Sequence, residues 1–586
     1  MEKICIVKKN ISSYPSKKYV FRPSVNYPEY LYKEDISLEN NPVYEMVRQG
    51  LEMMGFDEEK IGTSEWNPMG EIIKPGDCVL IKPNMVLHKN GSGCGTDCLF
   101  THPSLVAAMI DYIVIALQGK GRIIVGDAPL QECVFETLTE NSGYRQMIEF
   151  YQGKGVDVSL VDFRNVKTYE KDGVHFLQSE EGENGIVVKL NRESAFSDID
   201  EKRMQNLRIT NYDPRILQKH HRKDVHEYNV SQYVLEADVI INMPKPKTHR
   251  KAGVTIALKN LVGINANKEF LPHHTLGSKE EGGDAYLREN PLLKMANEVL
   301  DIKNQLVHDR ETDLAIEAEK LYQALHEKGK IQAGEEYWEG SWYGNDTIWR
   351  TILDLNRILF YADKTGKMTD KIQRRQFIVG DMVVSGEKEG PLEPTPVYPG
   401  VIVMGENPLK FDRTVCSLMG FDYRKIPLLN SEELFDANYP VADRNGASIY
   451  SNNKLWHEKS MDEIREEHSL CFQPTLGWTV KLGNRYRDKL YGDLLQNGMP
   501  VCIFGAGVNG IYAEEELRGQ GIQTALFCDN NSKLWEKEII GGIKCVSLDN
   551  ADMDLPFVIA VPAEYVKEID EQIRVNGGKV FGVMNR

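Results

Sequence analysis

The sequence predicts an α/β protein: a parallel-sheet region that carries a helical insertion, followed by a small C-terminal α/β unit. Three observations predict this class. Short apolar runs that end in polar turns alternate with an apolar-periodic stretch early in the chain. A long stretch rich in Leu, Ala, Glu and Lys lies in the middle, and residues 498–586 open with a strand and a glycine-rich turn.

The first pattern predicts a strand, a helix and a second strand. Residues 77–87 are an apolar run followed by Lys-Pro-Asn, typical of a buried strand ending in a loop. Thr-His-Pro-Ser precedes the apolar-periodic residues 105–117, so the Thr or the Ser is expected to cap a helix. Residues 121–129 contain Ile-Ile-Val and then Gly-Asp-Ala-Pro, a strand with an acid past its end. This order implies a right-handed crossover and a parallel sheet.

Ligands of such sheets bind beyond the carboxyl ends of the strands. We therefore expect Lys82, Asn84 and Asp127 at one edge, and the run Asp-Val-Ile-Ile-Asn-Met-Pro brings Asn242 to a similar position. Lys82 and Asn84 could bind a carboxylate or phosphate, or Asn84 could cap the turn. Asp127 could hold a metal or orient a histidine, or form an Asx-turn.

Three segments are expected along the chain. Residues 1–430 are predicted to form the large α/β region, with a helical insertion at about 276–360. Residues 431–497 are polar and weakly patterned, which favours a connecting region. Residues 498–586 form the last unit.

Composition limits the classes of function. Seventy Lys and Arg against 87 Asp and Glu give a net charge of −17, which disfavours general binding to nucleic acid or anionic membranes. The N-terminus has no apolar run of signal-peptide length, and no stretch approaches the roughly 18 apolar residues of a membrane span. The ten cysteines are too few for a disulfide-stapled secreted protein, so we expect a cytoplasmic protein.

One segment departs from this acidic average. Residues 241–268 contain no Asp or Glu but six basic residues, Lys245, Lys247, Arg250, Lys251, Lys259 and Lys268. Six of the 13 histidines lie in or near it: His220, His221, His226, His249, His273 and His274. Lysines supply charge, a strand-to-helix turn supplies N–H groups, and histidine moves protons near neutral pH, so the segment predicts a site for an anion. A solvated basic loop is the alternative.

Catalytic roles are assigned to His249 and Lys259, together with Asp127. His249 is a candidate general acid or base, with a local hydrogen-bonding role as the alternative. Lys259 is embedded among apolar residues, where an ammonium must be paired or functional. Adjacent strand residues point to opposite faces, so at most one of His273 and His274 faces a given site. The residues predicted to bind substrate are Lys82, Asn84, His102, Asn242, Lys245, Lys247, Asn260, His273 and His274.

Several motifs in order carry a family resemblance. They are Lys82-Pro-Asn, Thr101-His-Pro, Gly126-Asp-Ala-Pro, the run from Ile241 to Gly263 with its Lys-Thr-His and Lys-Asn-Leu-Val-Gly blocks, and Asp381 through Pro391. Over about residues 3–430 the chain resembles the domain of unknown function 362 family. Some members of that family carry ferredoxin-like iron–sulfur modules, but no Cys-x-x-Cys-x-x-Cys motif exists here. Cys94 and Cys98 are two free thiols in a glycine-rich loop or part of a metal or redox site.

A weaker similarity concerns mechanism. His249, Gly253 and Lys259, followed by His273 and His274, resemble the arrangement in nickel-pincer lactate racemases. That resemblance implies histidines that exchange a proton or hydride with a hydroxy-acid carbon. The Asp-x-Thr-Arg-Pro and Gly-Thr-His-Arg motifs of those enzymes have no clear counterpart, so their cofactor is not carried over and the metal stays unknown.

The C-terminal unit carries a dinucleotide-type fingerprint. Gly505, Gly507 and Gly510 follow the strand Val-Cys-Ile-Phe and precede a helix, and Asp529 ends the next strand, where it could accept ribose hydroxyls. These elements predict a half-Rossmann sheet. The unit resembles the N-terminal domain of bacterial sugar acyltransferases, which implies a nucleotide-sugar. NAD(P), CoA or a role only in assembling a homo-oligomer are the alternatives.

The leading hypothesis is a cytoplasmic bacterial-type enzyme that acts on a small anionic substrate by His/Lys-assisted proton transfer. Its C-terminal unit would hold a nucleotide-containing ligand. One alternative is a non-catalytic metabolite-binding or scaffold protein of a glycan or metabolic gene cluster. Another is a metal-dependent isomerase or oxidoreductase that uses His249 with His273 or His274 and Asp127.

Overall fold

A computed structural model describes residues 2–179, 184–334, 338–430 and 446–585, which form two compact units. The larger unit comprises residues 1–90, 96–470 and 474–483, and the smaller comprises 91–95, 471–473 and 484–586. Residues 431–445 of the predicted connecting region lie outside the described residues.

Among its described residues, the larger unit contains an eight-stranded sheet. In chain order its strands are β1 (Lys3–Lys8), β2 (Cys78–Pro83), β3 (Arg122–Asp127), β4 (Val158–Asp162), β5 (Val239–Met243), β6 (Arg375–Met382), β7 (Val401–Gly405) and β8 (Ser448–Ser451). The spatial order is β8-β1-β7-β6-β5-β2-β3-β4. Strand β7 runs antiparallel to both neighbours and every other pair is parallel. The predicted class, α/β with a mostly parallel sheet, is confirmed.

The predicted strand–helix–strand unit is present as β2, the helix Pro103–Leu117 and β3. Strand β2 is buried at every position, because parallel strands are covered on both faces. The expectation that Thr101 or Ser104 caps the helix is wrong. His102 is the N-cap, and its ring Nδ1 accepts a hydrogen bond from the Ser104 N–H at 3.2 Å.

Helices dominate the middle of the chain. Pro291–His308 and Thr312–Ala333 pack against each other, and an added Cβ at Gly329 would lie 2.8 Å from the Leu293 side chain. The next helix, Ile348–Tyr361, is buried along most of its length and packs on residues 257–264. The helix Ile348–Tyr361 therefore supports the segment that carries Lys259.

The smaller unit has its own sheet and core. In chain order its strands are β9 (Val501–Phe504), β10 (Thr524–Cys528), β11 (Glu538–Ile540), β12 (Ile543–Val546), β13 (Pro556–Ile559) and β14 (Lys579–Val583). Its helices are Arg485–Asn497, Val508–Gly519 and Val566–Val575. The spatial order is β11-β12-β10-β9-β13-β14, parallel apart from the β11–β12 pair. Across both units, no helix of the described residues is long and apolar enough to cross a membrane.

Candidate functional site

A cavity of the larger unit lies at the carboxyl ends of three parallel strands. Its volume is about 390 Å³, and small-molecule sites have volumes of about 300–1,000 Å³. Asn84 follows β2, Asp127 ends β3 and Lys247 follows β5, and all three line the cavity. The structure therefore brings together residues that are distant in sequence.

The short strand Lys247–His249 supplies two of the predicted residues. It pairs antiparallel with Gly253–Thr255 and parallel with Ser385–Glu389. Side chains two positions apart on a strand share a face. Lys247 and His249 accordingly both line the cavity.

Lys259 lies on the four-residue helix Ala257–Asn260, whose start is held by a distant carboxylate. Asp412 accepts hydrogen bonds from the backbone N–H of Ala257 at 2.8 Å and of Leu258 at 3.0 Å. These bonds satisfy N–H groups that have no partner inside the helix. Asp412 thereby fixes the position from which Lys259 reaches the cavity.

Lys82 and Asp127 form a buried ion pair. Lys82 Nζ lies 2.8 Å from Asp127 Oδ1, and it also donates to the Pro83 carbonyl at 2.7 Å and to Asn260 Oδ1 at 3.3 Å. The Met85 N–H donates to Asp127 Oδ2 at 2.6 Å. Lys82 does not line the cavity, so its role is to neutralise Asp127, which does.

Asn242 also lies behind the cavity wall. Its Oδ1 accepts from Asn260 Nδ2 at 2.8 Å, and its Nδ2 donates to the Ala257 carbonyl at 3.0 Å. Asn260 lines the cavity and Asn242 does not. Asn242 therefore positions Asn260 from behind the cavity wall.

Four lysines of the basic segment line the cavity, Lys247, Lys251, Lys259 and Lys268, and we call three of them, Lys247, Lys259 and Lys268, the lysine cluster. Lys247 Nζ donates to Asn84 Oδ1 at 2.8 Å, and Lys268 Nζ donates to the Ala128 carbonyl at 2.8 Å. Within the described residues, Lys259 Nζ has no hydrogen bond and no ion pair. The ammonium of Lys259 is therefore available to a ligand.

Desolvation makes these lysines unusually acidic. Burial lowers the pKa of Lys247 and of Lys259 to about 7 and that of Lys268 to about 8. The charges of Lys268 and Lys82 lower the pKa of Lys259 further. Near neutral pH, Lys259 thus exists in both its amine and its ammonium form.

The hydrogen bonds of His249 define which ring nitrogen carries the proton. Nδ1 accepts from the backbone N–H of Lys251 at 3.0 Å and of Ala252 at 3.1 Å. The neutral ring therefore carries its proton on Nε2. Burial, with the nearby charge of Lys259, holds the pKa of His249 well below its usual range, so the ring is neutral at neutral pH. Its Nε2 is a hydrogen-bond donor.

His273 has the opposite tautomer. Its Nδ1 lies 2.7 Å from the Leu271 carbonyl, which only accepts, so Nδ1 carries the proton and Nε2 keeps a lone pair. Burial lowers the pKa of His273 to about 3. His273 lines the cavity and His274 does not, as expected for neighbours in an extended segment.

Lys245 and His102 belong to a separate buried cluster and do not line the cavity. Lys245 Nζ lies 2.6 Å from Asp381 Oδ2 and 2.6 Å from the Tyr14 hydroxyl. The His102 N–H donates to Asp381 Oδ2 at 2.9 Å, and the rings of His102 and Tyr14 stack with centroids 4.0 Å apart. Both residues stabilise the fold beside the site.

Sequence reasoning missed part of the cavity wall. Gln131 and the hairpin formed by Val166–Lys171 and Val174–Ser179 contribute polar side chains, and Trp338 and Glu339 follow the helix Thr312–Ala333. The apolar lining residues include Met85, Val86, Leu130, Ile209, Val262, Leu271 and Leu392. Apart from Met85, Val86 and Val262, which lie in segments singled out above, no motif marks these positions, because their role depends on where the chain returns to the sheet edge.

In the smaller unit, two glycines of the fingerprint are required by close backbone approach. Gly505 has φ of +111°, and an added Cβ at Gly510 would lie 1.9 Å from the Gly505 carbonyl oxygen. Gly507 differs, because no atom lies within 4 Å of its Cβ position. Asp529 binds this turn: its Oδ2 accepts from the Ala506 N–H at 2.8 Å. The Asp529 carboxylate therefore fixes the backbone of the turn that the sequence predicts to bind a nucleotide.

The described residues contain no group of three or more His, Cys, Asp or Glu side chains arranged to hold a metal ion. His249, His273 and Asp127 line one cavity without such an arrangement.

The fold and the cavity define an α/β protein with a lysine-lined cavity at the carboxyl ends of its parallel strands. The chain belongs to the family described as Domain of unknown function (DUF362), whose profile matches residues 79–181 and 185–417, more than half of the chain. A relative from Synechocystis sp., named a thylakoid-associated protein, is 26% identical over 200 residues, which are 34% of this chain and 43% of the relative. The match thus spans less than half of that relative. No solved structure shows a significant match.

Proposed function

We propose that the protein is an enzyme that binds a small anionic substrate in this cavity and transfers a proton through Lys259. The single observation that supports this most strongly is the side chain of Lys259, which lines the cavity without a hydrogen bond or ion pair to any described residue. A desolvated ammonium without a partner is costly unless a ligand compensates it.

The charges around the cavity favour an anion. The basic lining residues are Lys247, Arg250, Lys251, Lys259 and Lys268, and the acidic ones are Asp127, Glu132 and Glu339. Asp127 is already neutralised by Lys82. A carboxylate or phosphate would restore the balance at the lysine cluster.

The side chains around Lys259 suggest distinct roles. Because its pKa is about 7, Lys259 is suited to accept and return a proton near neutral pH. His249 donates from Nε2, so it is suited to stabilise a developing oxyanion and not to abstract a proton. Thr255, opposite Lys247 on the paired strand, has a shielded hydroxyl without a hydrogen-bond partner among the described residues, and it offers a further donor.

Proton exchange tests this proposal directly. Hydroxy and oxo acids are incubated with the protein in D₂O, and loss of the proton on the carbon beside the carboxylate is followed by NMR. We expect exchange with at least one acid, and none with Lys259→Met. Lys259→Arg keeps the charge at a pKa too high for a base, so it should retain binding and lose exchange.

Lys120→Met is the matched control, because Lys120 is exposed and does not line the cavity. Exchange that persists in Lys259→Met would rule out Lys259 as the proton carrier. An acid that binds the wild type and is never exchanged would instead favour the non-catalytic alternative.

We also propose that the smaller unit binds a nucleotide-containing ligand at the turn Gly505–Gly510. The open space at Gly507, before the helix Val508–Gly519, leaves room for a phosphate beside backbone N–H groups. In a thermal-shift assay with NAD, NADP and nucleotide-sugars, we expect one class to stabilise the protein and Gly507→Val to abolish its effect. A nucleotide-sugar would favour a cytoplasmic role in glycan assembly, whereas NAD(P) would favour oxidoreductase or isomerase chemistry.

If none of these ligands stabilises the wild type, or Gly507→Val responds as the wild type does, the nucleotide assignment is wrong.

A further inference from the structure

A second polar region of the cavity is formed by an amide, a hydroxyl and an imidazole side chain, without Lys, Arg, Asp or Glu. Gln131, Thr168 and His175 line it, and we call them the neutral patch. Gln131 Nε2, Thr168 Oγ1 and His175 Nδ1 are each shielded from solvent and have no hydrogen-bond partner among the described residues. Shielded polar atoms are normally paired, because each unpaired one costs about 1–3 kcal/mol. Three of them in one cavity indicate a ligand group that pairs with them.

Hydrogen bonds of the backbone hold Gln131 and Thr168 of the neutral patch in place. The Thr168 N–H donates to the Gln131 carbonyl at 3.1 Å, which joins the hairpin to the loop after β3. The buried Arg164 guanidinium donates to the carbonyls of Leu130, Gln131 and Cys133 at 2.7, 3.1 and 2.9 Å. Asp162 in turn accepts from Arg164 Nε at 2.9 Å. The patch is therefore formed before any ligand binds.

The same loop links the neutral patch to the lysine cluster. Lys268 Nζ donates to the Ala128 carbonyl at 2.8 Å, three residues before Gln131. Three residues span at most about 10 Å. Leu130, Ile209 and Leu271 line the cavity as well and supply apolar surface for the body of a ligand.

We infer that the ligand carries one anionic group at the lysine cluster, an apolar body, and a hydroxyl or carboxamide at the neutral patch. This rests on the proposed function and defines its substrate class. The Gln131 amide nitrogen donates, and the Thr168 hydroxyl both donates and accepts, which matches a group able to do both. A second anion is disfavoured, because the lining Lys and Arg residues all lie in 247–268 and Glu132 adjoins Gln131.

Matched ligands test the inference. Unbranched carboxylates of about 4–10 carbons, sized to the cavity, are compared with their terminal hydroxyl and carboxamide derivatives by calorimetry on the full-length protein. At one chain length, we expect the polar terminus to tighten binding about 2- to 10-fold, the effect of one or two net hydrogen bonds. Gln131→Leu and Thr168→Val should abolish this gain and leave the affinity for the plain carboxylate unchanged.

Stability supplies a second readout. Since both substitutions remove an unpaired shielded polar atom, the thermal midpoint of the ligand-free variants should be equal to or above that of the wild type. Gln323→Leu, on the exposed face of the helix Thr312–Ala333, is the control and should keep the gain.

The outcomes separate the two proposals. If plain carboxylates bind through Lys259 and no polar terminus tightens binding at any length, the neutral patch is not a ligand site while anion binding stands. A lower thermal midpoint in both variants would make the patch structural and also overturn the inference. If no carboxylate of any series binds, both proposals fail.

Discussion

At the scale of single residues, the ion pair between Lys82 and Asp127 shows that two residues predicted for one site can have different roles in the folded protein. Both residues were candidates for the site, yet only Asp127 lines the cavity. Lys82 has no exposed surface and three oxygen partners. A lysine at the end of a strand is therefore as suited to neutralising a cavity-lining acid as to binding a ligand, and the sequence does not distinguish these roles.

Removing one member of this pair should be more damaging than removing both. Asp127→Asn leaves Lys82 buried without its counter-charge, and we expect a loss of about 3–5 kcal/mol in the free energy of unfolding. The double variant Lys82→Met/Asp127→Leu should lose less. Urea unfolding followed by tryptophan fluorescence measures both. Equal losses in the two variants would contradict the buried ion pair.

At the scale of elements, the helix Ala257–Asn260 is too short to be stable alone. It is positioned by tertiary contacts, namely the cap from Asp412 and a hydrogen bond from Asn356 Nδ2 to the Leu258 carbonyl at 3.0 Å. The sequence indicated that Lys259 is functional or paired, but not that a carboxylate so far along the chain holds it in place.

Loss of this cap should weaken ligand binding through Lys259. Asp412→Ala is expected to cost about 1–2 kcal/mol of stability and to reduce the affinity for the carboxylate ligand. Asp412→Asn keeps an acceptor and should have the smaller effect. Asp313→Ala, in the exposed first turn of another helix, is the control for calorimetry and thermal unfolding. Unchanged affinity in Asp412→Ala would show that the cap does not position Lys259.

At the scale of the whole molecule, this acidic protein has desolvated lysines clustered at one edge of its sheet. We therefore expect its free energy of unfolding to depend on pH. Lys259 has a pKa of about 7 when folded and about 10.4 when unfolded. Between these values the unfolded chain binds more protons at Lys259, so this residue's contribution to stability rises with pH across that interval. Affinity for an anion should fall over the same interval, because the ammonium is lost.

The comparison with Lys259→Met isolates this effect. The free energy of unfolding of the ligand-free wild type, minus that of the variant, should increase as the pH is raised from about 7 to about 10. Denaturant titrations at several pH values measure it. A pH-independent difference would mean that Lys259 is not desolvated in the folded protein.

Much of the fold was accessible from sequence. Apolar runs at β2, β3 and β5 predict strands because both faces of a parallel sheet are buried, and the carboxyl-end rule then places Asn84 and Asp127 together. The residues of the site could be predicted from the sequence only where they share a local pattern, as in the basic segment. Gln131, Thr168 and His175 belong to no motif, and no sequence pattern predicts that they line the cavity.

The sequence by itself determined the α/β class, the family and the basic segment in an acidic chain, because strand periodicity, motif order and charge are local properties. Only the tertiary structure decided which lysines face the cavity and which are neutralised behind it, since burial and hydrogen-bond partners are set by contacts between distant segments. It also decided that His249 donates from Nε2, because two backbone N–H groups occupy its other nitrogen.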